Sequence, residues 1–121
     1  VKRFIELKHV KAKEQVRGLL EDLIDRVDHK LRHFPSDAVS LHVMFEETNG
    51  RRALFRASVT CHVPGHTVAA HEERHEAGLA IRQAFAEVER QLEKRKATRR
   101  HERQVRRSKR SQATLKMEEG A

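Results

Sequence analysis

One stretch of this sequence has residue types and spacing that match a catalytic pattern: His71-Glu72-Glu73-Arg74-His75 reads H-E-x-x-H, and Gly78 extends the match. In zinc proteases of that pattern, two histidines one helical turn apart hold Zn²⁺, the glutamate acts as base, and a third ligand follows. The third-ligand position here is Ile81, whose side chain binds no metal. His71 also falls inside an alternating, strand-like run, so the two imidazoles would not share one helical face. Elsewhere the sequence has no Gly-rich phosphate loop, no G-x-S-x-G elbow and no isolated carboxylate pair. The reading is therefore a non-enzyme with no catalytic residue, metal or cofactor and no small-molecule substrate; a zinc hydrolase built on His71, Glu72 and His75 stands as the remote alternative.

The other chemically loaded stretch is cationic. Residues 94–110 carry ten Lys or Arg and one acid, Glu102, whereas residues 1–93 carry fifteen basic and fifteen acidic residues. The net charge of +8 is thus +9 from this run and −1 from the last eleven residues. A neutral domain with one dense cationic element implies a polyanionic partner, nucleic acid first. The chain has no Trp or Tyr and only five Phe. Of these, Phe45, Phe55 and Phe85 read as core, Phe34 as a helix-end contact, and Phe4 is ambiguous. With so few aromatics to stack bases, Arg and Lys contacts to phosphate and sugar should dominate, and a structured RNA fits better than a single-stranded motif. No helix-turn-helix or zinc-finger pattern points to DNA.

These residues need elements to position them. Val1 to Lys8 alternates as a short strand with Val1, Ile5 and Leu7 on one side. From about Lys13 to His33 the period changes, and Val16, Leu19, Leu20, Leu23, Ile24, Val27 and Leu31 form an amphipathic helical stripe that Phe34-Pro35 ends. Ala38 to Glu47 alternates with Val39, Leu41, Val43 and Phe45 inward. Asn49-Gly50 predicts a tight hairpin into a strand over Arg52 to Val63, and Pro64-Gly65 predicts a second turn into a strand over His66 to Glu73. A long helix over Glu76 to about Lys96 follows, with Ala77, Ile81, Ala84, Phe85, Val88 and Leu92 at three- and four-residue steps. The fold class is α+β in the order β-α-β-β-β-α, one apolar sheet face covered by two helices. The single cysteine, Cys61, lies in a strand pattern and reads as core in a reducing compartment. The charged N-terminus is unlike a signal peptide and no window approaches a membrane span, so a cytoplasmic protein is expected.

Three features together resemble the ribosome hibernation-promoting factor family, which includes the stationary-phase ribosome-associated inhibitors once labelled sigma-54 modulation proteins. They are the element order, the turn His62-Val63-Pro64-Gly65-His66-Thr67-Val68, and Ala80-Ile81 followed by Val88-Glu89-Arg90-Gln91-Leu92-Glu93-Lys94. The resemblance spans roughly residues 1–97 as one domain and leaves residues 98–121 as a basic extension expected to fray. It implies a fold like that of double-stranded-RNA-binding domains with an added first strand parallel to the second. It also implies binding in the mRNA and tRNA channel of the small ribosomal subunit, against ribosomal RNA, so that ribosomes are kept inactive in stationary phase or stress. Carried over by position, the RNA-facing residues are Arg82, Arg90, Lys94, Arg95 and Lys96, with Arg99 and Arg100 continuing the basic run. The sequence departs from the family at Ala77-Gly78, where Met-Tyr is usual. It also resembles a short form, monomeric off the ribosome. The alternative reading is a generic structured-RNA-binding or ribosome-assembly protein.

Overall fold

The computed structural model describes residues 1–48 and 50–95. Val1–Arg90 forms one compact unit and Gln91 begins a second. The elements are β1 (Lys2–Lys8), α1 (Lys13–Lys30), a short 3₁₀ turn (Ser36–Ala38), β2 (Ser40–Thr48), β3 (Leu54–Val63) and β4 (His66–Arg74). The last helix, α2, is helical over residues 77–95. The four strands form one sheet in the order β1-β2-β3-β4. β1 runs parallel to β2, with Ile5 opposite Val43, and the other pairs are antiparallel.

Alternation sorts the strands into two faces. Leu41, Val43, Phe45, Ala57, Val59, Cys61, Val63, Val68 and Ala70 are buried on one face. They pack with Val16, Leu20, Ile24, Val27 and Leu31 of α1 and with Ala80, Ile81, Ala84, Phe85 and Val88 of α2, which are equally buried. Two sets of ion pairs fix the helices at the edges of this core. Arg3, on the core-facing side of β1, pairs with Asp25 and Asp28 of α1. Glu89 of α2, its side chain only 12% exposed, takes Arg26 at 3.0 Å and Lys30 at 3.1 Å from α1.

Helix α1 ends at Lys30, three residues short of the expected end at His33, and Leu31, the last residue of the apolar stripe, forms the C-cap while remaining buried. The Phe34 amide then bonds the Leu31 carbonyl at 3.0 Å, closing the chain before Pro35. The two hairpins differ. Pro64-Gly65 makes the expected two-residue connection, with Gly65 at φ 91° as the position after proline in a type II turn requires. The Asn-Gly connection is longer than a two-residue hairpin: β2 ends at Thr48 and β3 begins at Leu54, and these two residues pair with each other. Thr48 instead braces the loop's base, its hydroxyl donating to the Leu54 carbonyl at 3.1 Å. The expected domain end near residue 97 and the basic run beyond it lie outside the described residues.

Candidate nucleic-acid interface

The H-E-x-x-H stretch does not form a zinc-protease site. His71 lies in β4, on the sheet face away from the helices, where its ring bonds the Ser58 hydroxyl at 2.8 Å and faces Glu73 at 3.3 Å. His75 lies in the bend before α2 and donates from Nδ1 to the Ala53 carbonyl at 3.1 Å. One imidazole thus serves the sheet face and the other the β2–β3 connection. Among the described residues, no group of three or more potential ligands could hold a metal ion.

The cations carried by α2 are all exposed in the described region, and Arg82 and Arg90 are held differently. Arg82 folds back along its own helix: a Cβ at Gly78 would sit 2.9 Å from its Nη1. Glycine in place of a larger residue therefore leaves a berth for the guanidinium one turn below its origin. Arg90 makes a bidentate pair with Glu87, Nε at 2.9 Å and Nη2 at 2.7 Å, and this partner raises its already high pKa. A phosphate reaching Arg90 must share or displace that carboxylate. Lys94 and Arg95 are exposed at the end of the described helix, and Lys96, Arg99 and Arg100 lie outside the described residues. The apolar stripe thins in the same stretch: Val88 is fully buried and Leu92 only partly so. Arg95, which heptad spacing puts on that stripe seven residues after Val88, is exposed.

The opposite face of the sheet carries a cluster that residue types alone did not bring out. Phe4, 51% exposed, stacks on His42 with ring centroids 4.5 Å apart and planes 11° from parallel. His62 meets His42 edge-on at 5.2 Å and bonds Thr67 at 2.9 Å. A shallow cavity of about 460 Å³ opens beside the stacked pair, between the strand rows of Phe4-His42-Thr60 and Glu6-Met44-Ser58. The signal in the sequence was Phe4 itself, an aromatic residue on the otherwise charged side of β1, among Lys2, Glu6 and Lys8.

A β-α-β-β-β-α chain, with both helices on one face of a four-stranded sheet and a parallel first pair, defines an α+β domain with a mixed sheet. A family model for sigma 54 modulation protein / S30EA ribosomal protein matches residues 4–100, and the chain belongs to this family, the one that includes the hibernation-promoting factors. Two solved structures share the fold. A ribosomal subunit interface protein from Coxiella burnetii is 20% identical at a TM-score of 0.62, covering 80% of this chain and 99% of that one. The N-terminal domain of Thermus thermophilus Protein Y is 19% identical at a TM-score of 0.62, covering 78% and 98%. No curated protein sequence matches the chain.

Proposed function

We propose that this protein binds the small ribosomal subunit and occupies the channel that mRNA and tRNA use, keeping ribosomes inactive under stress or in stationary phase. The observation that carries this reading is membership of a family described as ribosomal over residues 4–100. The charge distribution supports it: the first 93 residues are neutral and the excess sits on α2 and the run after it, as a surface that meets RNA phosphate requires. The mechanism is steric occlusion, so no bond is made or broken and no cofactor takes part. Arg82, Arg90, Lys94, Arg95 and Lys96 are the proposed ribosomal RNA contacts, with Arg99 and Arg100 extending them. Residues 1–97 act as the binding domain and residues 98–121 as its basic extension. Such a protein works in the cytoplasm, and no described helix is long and apolar enough to cross a membrane.

The test is sedimentation of stationary-phase lysate together with cell-free translation. The protein should migrate with intact ribosomes and halt translation at amounts stoichiometric with them. Migration only with subunit precursors, with translation unaffected, would make it an assembly factor instead.

A further inference from the structure

The geometry points to a second RNA contact on the open sheet face, in which the Phe4–His42 stack and the cavity beside it take an unstacked nucleobase from a single-stranded RNA segment. A lone exposed phenylalanine needs no explanation. This one is different because it is ordered against a partner ring and borders a cavity. The two rings lie 4.5 Å apart and nearly parallel, so together they form one rigid wall of the cavity. Met44 lines the cavity with a soft, polarisable side chain, and Glu6, Thr60 and Ser58, the last already bonded to His71, add polar groups that can meet a base's hydrogen-bonding edge. The volume of about 460 Å³ lies within the roughly 300–1,000 Å³ of small-ligand sites.

Charge along the strands gives the site a direction. The register sets Lys2, Ser40, His62 and Thr67 in one row and Phe4, His42 and Thr60 in the next, and neither row holds a carboxylate. The acids of this face, Glu6, Glu46 and Glu73, come in the following rows. Glu6 and Glu73 are moreover paired, with Lys8 at 3.8 Å and Arg56 at 3.0 Å. A phosphodiester backbone is accommodated over the acid-free end, beside Lys2, while its base enters the cavity. An aromatic group on an open sheet is the means by which sheet-surface RNA-binding domains stack bases, and a duplex, whose bases are already stacked, offers it nothing.

This inference rests on the ribosomal reading for its setting and on the sheet for its chemistry, and the experiment separates the two. Anisotropy of a labelled single-stranded oligoribonucleotide is compared with that of a duplex of the same length, for wild type, Phe4→Ala and His42→Ala. The expected result is a loss of about tenfold in single-strand affinity for Phe4→Ala, with duplex affinity and melting temperature unchanged. Phe4→Trp should keep the affinity, and because the chain has no other Trp or Tyr its emission reports stacking directly, changing on saturation with RNA. The proposal is overturned if wild type binds no single strand, if Phe4→Ala binds as wild type does, or if single strand and duplex weaken together. It is also overturned if the Trp emission does not respond, or if Phe4→Ala abolishes a self-association seen by analytical ultracentrifugation, which would make the face a contact between copies. Failure to sediment with ribosomes, with oligonucleotide binding intact, would count against the hibernation reading alone.

Discussion

Individual side chains show where type and position disagree. Cys61 is fully buried on the core face of β3, and burial pushes its thiol up from 9.0 to about 11. Between those values the unfolded chain has released a proton that the folded chain keeps. This contribution therefore destabilises the fold as pH rises from 9.0 towards about 11. Urea midpoints should fall more for wild type than for Cys61→Ala across that window, and the native thiol should resist thiol reagents that label it on unfolding. Gly18 sits in mid-helix with nothing within 4 Å of the place a methyl group would take, so no close contact calls for glycine there. Gly18→Ala should raise stability by about 0.5–1 kcal/mol in chemical denaturation. Gly78 differs, since its missing side chain is where the Arg82 guanidinium lies. That relation spans one helical turn, and nothing in the sequence says which way an exposed arginine folds.

At the scale of elements, periodicity was a good guide wherever burial produced it. Most inward residues of β2 and β3 and of the α1 and α2 stripes down to Val88 follow directly from spacing, because each buried position costs hydration if it turns outward; Leu19, Leu23, Phe55 and Ala77 are only partly buried. Three features were not legible for the same reason in reverse. The β2–β3 connection runs from Thr48 to Leu54, longer than an Asn-Gly hairpin, with the Thr48 hydroxyl bonded to the Leu54 carbonyl at its base. The Phe4–His42 stack joins strands 38 positions apart, which a local pattern cannot pair. Leu92 continues the period of α2 yet is only partly buried. Accordingly Phe85→Ala should cost about 3–5 kcal/mol and Leu92→Ala distinctly less, as equilibrium unfolding would measure. Between the helices, Glu89 ties Arg26 and Lys30, both partly exposed, so solvent screening limits the ties. A double-mutant cycle on Arg26 and Glu89 should return a coupling of about 0.5–1 kcal/mol.

For the whole molecule, the decisive property is the separation of a neutral stretch, residues 1–93, from a cationic one, residues 94–110. The chain's family was legible in the sequence because the A-I step and the V-E-R-Q-L-E-K run sit at fixed places on α2. The basic residues were legible as charge, but not their engagement: Arg90 is shared with Glu87, so its availability to RNA depends on exchange between two anions. Replacing Arg90, Lys94, Arg95 and Lys96 together by Gln should weaken ribosome binding while leaving the melting temperature nearly unchanged. The slope of log affinity against log salt should shrink by about one for each of the four that contacts phosphate. Competition on purified small subunits decides whether the protein occludes the channel. With mRNA and labelled initiator tRNA bound, added protein should displace the tRNA in proportion to its own binding, and prebound protein should block tRNA entry. Simultaneous stoichiometric binding of tRNA and protein to the same subunits would contradict the account.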